Sequence, residues 1–164
     1  MEQDKTSYIW GLLRLTMGLI FLWAFLDKLL GLGFATKPVN AWLTGGSPTT
    51  GFLQYAVHGP LVNFYHSLAG VPIVDWLFML GLLFIGITLT LGIFVRLGSS
   101  AAFIMLLLMY ISVGIPPVNH PFIDDHIVNM LIMLGLMYSN AGNYLGFGQM
   151  WSRTNLAQKY KILR

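Results

Sequence analysis

The sequence predicts an all-α, integral membrane four-helix bundle with a partly helical interfacial segment between the first two long helices. Three observations carry that expectation. Of the 164 residues, 56% are hydrophobic and only 9% charged, with mean hydropathy +0.71, whereas a soluble domain carries about 25% charged residues. The nine basic and six acidic residues are clustered and leave uncharged runs at 38–74, 76–95, 97–123 and 126–152, several of them longer than the roughly 20 apolar residues that cross a bilayer. Backbone N–H and C=O groups cannot stay unpaired in lipid, so such runs are helices.

Taken in order, a single membrane domain over 1–164 accounts for the chain. The first span, about 7–30, is apolar except for Arg14 near one end and Asp27–Lys28 at the other. It follows Glu2, Asp4 and Lys5, is too long for a signal core and lacks a small-residue cleavage site, so it reads as a retained span. The connection 31–72 has no charge beyond Lys37, yet holds Trp42, Phe52, Tyr55, Phe64 and Tyr65; a segment of that kind lies in the membrane interface or folds back over the bundle. Its punctuation (GLGF at 31–34, Pro38, TGGSPTTG at 44–51, Gly59–Pro60, Gly70) predicts two or three short helices. Ser47–Pro48 and Thr49/Thr50 are candidate caps for the middle one.

The second span follows Pro72, covers about 73–95 and is closed by Arg96. The third, 97–115, stops at Pro116–Pro117, because proline cannot continue a helix. The fourth, about 122–140, starts near Pro121–Asp124 and ends before Gly142, Gly146 and Gly148, leaving a basic tail over 149–164. Four spans put both termini on one side. Lys5, Arg14, Arg96, Arg153, Lys159, Lys161 and Arg164 fall on that side, against Lys28 and Lys37 on the other, which places both termini in the cytoplasm and the chain in the cytoplasmic (inner) membrane.

Composition also excludes function classes. With no cysteine there is no disulfide, iron–sulfur cluster, thiolate metal site or thiol relay. A net charge of +3, distributed near helix ends, does not suggest nucleic-acid binding and reports orientation instead. The chemistry available gathers on the outer face, which carries all four histidines together with Asp27, Asp75, Asp124 and Asp125.

Arg14 is the costliest residue: a charge within a span faces protein or a water-filled cavity, unless it snorkels to nearby phosphates. Positions 14, 18, 21, 25 and 28 share one helical stripe, so Arg14 and Lys28 lie on one face, about 21 Å apart at the helical rise. Gly11 and Gly18 flank Arg14 at i−3 and i+4 and let a neighbouring helix come close. Asp27 and Lys28 are about 100° apart on the helix and cannot pair well with each other. Lys28 is either a cation at the outer mouth, for an anionic substrate or quinone carbonyl, or one of two interfacial anchors.

Asp124, Asp125 and His126 open the fourth helix after Asn119-His120-Pro121. Capping explains part of this, since an acid in the first turn satisfies free N–H groups and suits the helix dipole. His126 is not explained by capping. With Asn129 and Met130 at i+3 and i+4 it points into the bundle, where an adjacent carboxylate favours its protonated form, as a proton relay requires. Asp75 reads as a first-turn residue of the second span, and the stripe Met130, Met133, Met137 as bundle packing. His58 and His66 are eight apart, too far for a metal pair, and only His126 lies within a span, so no haem or metal is expected.

The stretches LLRLTMGLIFLWAFLDKLLGLGF (12–34), AWLTGGSPTTGFL (41–53), VDWLFMLGLLFIGITLTLGIFVR (74–96) and HPFIDDH (120–126) resemble the DoxX/DoxD-like membrane proteins over about 15–150. That family is a four-helix membrane fold that includes the DoxD-type subunit of thiosulfate:quinone oxidoreductase. The resemblance implies oxidation of thiosulfate or a similar sulfur oxyanion, to tetrathionate in the thiosulfate case, with electrons delivered to membrane quinone. It also implies a DoxA-type second subunit or a homo-oligomer, and it supplies no catalytic residue set. On the residues themselves, His126 with Asp124 or Asp125 is expected to handle quinol protons. Lys28 is expected to act at the reacting centre, and Arg14, Trp23, Asp27, Lys37, Trp42 and His120 to bind substrate or quinone. A non-catalytic membrane anchor of a redox complex is the alternative.

Overall fold

The computed structural model describes residues 2–113, 117, 120–160 and 163. The predicted stop at Ile115–Pro116, Asn119 of the outer turn, and the tail charges Lys161 and Arg164 lie outside the described residues. Among the described residues the chain is helical throughout, with no strand.

Helix α1 covers Glu2–Leu30. It ends where Gly31 enters the left-handed region (φ 67°) and donates its N–H to the Asp27 carbonyl, a C-cap that glycine adopts without the Cβ clash. The outer segment then makes 3-10 turns at Pro38–Asn40 and Trp42–Thr44, followed by α2 (Thr50–Tyr55) and α3 (Val62–Leu68). The two short α-helices agree with the two or three expected, and the two 3-10 turns precede them. Ser47 does cap: its hydroxyl accepts from the Thr50 N–H at 3.1 Å.

Helix α4 (Pro72–Leu91) begins on a proline at its first position, where the missing N–H is harmless. It stops at Gly92 (φ 74°), four residues before the predicted boundary, so Arg96 belongs to the first turn of α5 (Val95–Ser112) instead of closing α4. Lys5–Leu30, Pro72–Leu91 and Val95–Ser112 are long and apolar enough to cross a membrane. Helix α6 (Asp125–Tyr138) has 14 residues, about 21 Å at the helical rise, and is shorter than the 122–140 span expected. The chain continues through a 3-10 turn at Ala141–Asn143 and two short helices, α7 (Gly148–Ser152) and α8 (Asn155–Lys159).

Helix α1 packs chiefly on α4, and α5 lies between α4 and α6. The α1–α4 crossing is tight because each helix presents a glycine to the other's backbone. A Cβ on Gly18 would lie 2.5 Å from the Thr90 nitrogen, and one on Gly86 2.8 Å from the Leu22 Cα, the small-residue approach that replaces hydrophobic driving force in lipid. Met17, Phe21, Met79, Ile85, Leu89 and Ala102 form the centre of the core with Met130, Met133 and Leu136 of α6, so most of the methionine stripe is packing. Leu53, Val57 and Tyr65 make a second, smaller cluster under the outer segment.

Candidate functional site

At one end of the bundle, Arg14 is fully buried, at 0% exposure. Its Nε donates to the Ala141 carbonyl (3.2 Å), Nη1 to those of Leu89 and Thr90 (3.1 Å to Thr90), and Nη2 to those of Tyr144 (3.2 Å) and Leu145 (2.8 Å). The guanidinium has five N–H donors, and they meet five carbonyls, two of them at the end of α4 where the helix dipole is negative. The glycine-rich turn wraps the group closely: a Cβ on Gly146 would lie 2.8 Å from Nη2. No N–H is left for a ligand. The expectation that Arg14 binds substrate or quinone is therefore corrected to structural pairing, because the backbone takes every donor.

Asp27, at 2% exposure, is enclosed in the same manner by the loop that follows α1. Its carboxylate accepts from the N–H groups of Phe34 (3.2 Å), Ala35 (3.0 Å) and Thr36 (2.8 Å). It shapes the GLGFAT turn and has no place in a ligand site, which corrects a second expectation. Asp75 is also buried. One of its oxygens accepts from the Ser47 hydroxyl (2.8 Å), the Thr49 hydroxyl (2.5 Å) and the Thr49 N–H (3.3 Å), pinning the SPTT turn to the first turn of α4. Sequence reasoning placed Asp75 in that turn and missed these partners; the signal was the cluster of three hydroxyls, Ser47, Thr49 and Thr50, in a chain with few acids to receive them.

Between α2–α3 and the α4–α5 pair lies a cavity of about 670 Å³. Its walls are carbon, from Phe52, Leu53, Phe64, Phe78, Met105 and their neighbours. Lys28 of α1 reaches into it, with Nζ 6.0 Å from the centre of the Phe78 ring. The ammonium makes no hydrogen bond or ion pair among the described residues; its neighbours are the Phe78 ring and, through space, the charge of Asp27. The three hydroxyls in the wall are already engaged: Thr49 donates to Asp75, Tyr65 to the Leu108 carbonyl (3.3 Å) and Ser112 to the Met109 carbonyl (2.7 Å). Leu77 (65% exposed), Ile104 and Leu108 also line the cavity while standing on the outside of membrane-length helices, so its rim lies on their exposed apolar surface. The volume falls in the 300–1,000 Å³ range of small-molecule sites.

The outer turn forms a separate cluster. Asp124 caps α6, one oxygen accepting from the N–H groups of His126 (3.0 Å) and Ile127 (3.2 Å) and the other facing His126 Nδ1 at 2.7 Å. Burial works to raise the Asp124 carboxyl, but the His126 ring, the Ile127 N–H, the histidine charge and the His126 N–H together hold it below its ordinary value. His120 Nδ1 accepts from the N–H groups of Phe122 (3.1 Å) and Ile123 (3.0 Å), which leaves its proton on Nε2. Tyr110 fastens the turn to α5 by donating to the Phe122 carbonyl at 2.7 Å. His120 and Asp125 are exposed, and none of His120, Asp124, Asp125 or His126 lines the cavity.

The remaining candidates lie elsewhere. Trp23 is partly exposed and stacks edge-on against Phe34 (5.1 Å), Trp42 against Trp76 (4.7 Å), and Lys37 is exposed at the start of a 3-10 turn. None of the three lines the cavity: Trp23 and Trp42, expected at a ring site, pair with other aromatic residues instead, and Lys37 stands exposed on the outer segment. Among the described residues, no group of three or more histidine or acidic side chains is placed to hold a metal ion. No protein-family model, no curated protein and no solved structure matches this chain.

Proposed function

We propose that this chain is the membrane subunit of a thiosulfate:quinone oxidoreductase-like enzyme. It crosses the cytoplasmic membrane four times with both termini inside, α6 and the turn after it making the fourth crossing. The observation that carries this reading is the carbon-walled cavity, its rim on exposed apolar helix surface, with one ammonium, Lys28, that has no hydrogen bond or ion pair among the described residues. A quinone ring arrives from the bilayer past Leu77 and Ile104 and sets one carbonyl against Lys28. Thiosulfate approaches from the outer face, drawn by Lys28 and Lys37. Two thiosulfate ions join through a new S–S bond to give tetrathionate and release two electrons; quinone takes these with two protons to give quinol. With no cysteine, the electrons pass without a protein thiol. The Asp124–His126 pair, in a turn that Tyr110 fastens to α5 and outside the cavity lining, supplies the protons, and a DoxA-type subunit or a second copy completes the assembly.

The purified protein, with thiosulfate and a short-chain quinone analogue, is expected to reduce quinone, alone or once the second subunit is added. Absence of reduction under both conditions sinks the enzyme reading. A second reading is favoured by one observation: Arg14, Asp27 and Asp75 all bond to the chain's own backbone and hydroxyls, as in a scaffold. It makes the chain a non-catalytic anchor of a redox complex. Lys28→Met and His126→Ala separate the two, since lost turnover with intact assembly supports the enzyme and lost assembly supports the anchor.

A further inference from the structure

The cavity has an asymmetry that a quinone does not use. Among the described side chains of its wall, the free donors are the three protons of the Lys28 ammonium alone, because the hydroxyls of Thr49, Tyr65 and Ser112 have donated their protons within the protein. The rest of the wall is carbon. A para-quinone has acceptors at both ends of its ring, so one carbonyl meets Lys28 and the other meets only carbon, and a polar group desolvated without a partner is costly. A carboxylate puts two acceptor oxygens and a full negative charge on the same end. It would also neutralise an ammonium that Asp27 does not pair with, since that carboxylate is held by the backbone of residues 34–36. A phospholipid fits less well, because its glycerol esters would bring further acceptors into a hollow with no further donors.

We infer that this cavity binds a long-chain fatty acid, with its carboxylate on Lys28 and its acyl chain running along α4 and α5 to the rim at Leu77, Ile104 and Leu108. Free fatty acid and quinone then compete for one site. The inference rests on the cavity being a ligand site, as the quinone reading does, but not on any redox chemistry.

Photolabelling of the full-length protein in zwitterionic nanodiscs with a diazirine-bearing palmitate tests it. The label is expected on peptides covering 101–112 and 49–68. Oleate should displace it, methyl oleate should be at least about tenfold weaker, and Lys28→Met should reduce labelling by a similar factor, the size of one charge-assisted hydrogen bond. Lys28→Arg should keep the label, and Ala101→Phe, which fills the cavity from α5, should remove it. Equal displacement by acid and methyl ester, or unchanged labelling in Lys28→Met, overturns the inference. Quinone reduction without carboxylate-dependent labelling removes it while leaving the proposed function standing. Carboxylate-dependent labelling that a quinone analogue cannot displace keeps the fatty-acid site and removes the competition and the quinone site.

Discussion

Arg14 and Lys28 lie on one stripe of one helix, four turns apart, and have opposite surroundings. Arg14 is enclosed by five carbonyls of its own chain, while Lys28 extends into a cavity with a phenyl ring for company. Both are cations in an apolar helix, and charge alone does not distinguish them. The difference lies in donors left over: none at Arg14, all three at Lys28. A fully bonded buried charge holds the fold, and a half-buried charge with nothing to bond holds a place for something else.

The sharpest way to break this contrast is Arg14→Met. The Ala141 carbonyl keeps the Tyr144 N–H, but those of Leu89, Thr90, Tyr144 and Leu145 lose their side-chain donor, each orphaned group costing about 1–3 kcal/mol, so loss of folded protein is expected, read as collapse of the monodisperse peak in detergent chromatography. Arg14→Lys is expected to rescue little, since three donors on one nitrogen cannot span α4 and the 141–145 turn. Next in size is Asp75→Ala, which frees Ser47 and Thr49 and is expected to cost about 1–3 kcal/mol. Hydrogen exchange should rise over residues 46–53 while α5 stays protected.

Lys28→Met is expected to leave thermal stability unchanged or raise it, because it removes an unpaired charge from an apolar wall. A marked fall in melting temperature would instead make Lys28 a structural residue and end the contrast. The smallest effect concerns pH. The Asp124 carboxyl lies below its ordinary value when folded, so its contribution is complete above the unfolded value of about 4 and is lost as the pH falls through the lower folded one. Acid loosening should start at the first turn of α6, seen as early exchange at residues 125–128, and Asp124→Ala should cost about 1 kcal/mol at neutral pH and abolish that pH dependence.

The long helices were legible because a bilayer imposes one simple rule on composition, and Gly18 correctly announced a close helix, α4, whereas Gly11 admits Tyr144 of the turn after α6 instead. Helix ends were read less well: Arg96 looked like a terminator, but Gly92 ends α4 by adopting a left-handed backbone. Arg14 and Asp27 were misassigned for a common reason. Their partners are main-chain carbonyls and N–H groups, which every residue carries and no sequence pattern marks. The cavity was invisible for a related reason, since Phe, Leu and Met from four separate helices carry no signature of the space they leave between them. Lys28 was picked out because its stripe set it inward, and that much a helical period can tell.

The Arg14 bonds also order events in time. Nη1 meets Leu89, 75 residues downstream, whereas Nε meets Ala141, 127 residues downstream, so the guanidinium is satisfied in two stages, the first by α4 and the second only by the turn after α6. A chain truncated before residue 141 would keep the Nη1 bonds to α4 and leave Nε and Nη2 without their acceptors, so the first helix carries a partly bonded charge until the turn after α6 closes over it.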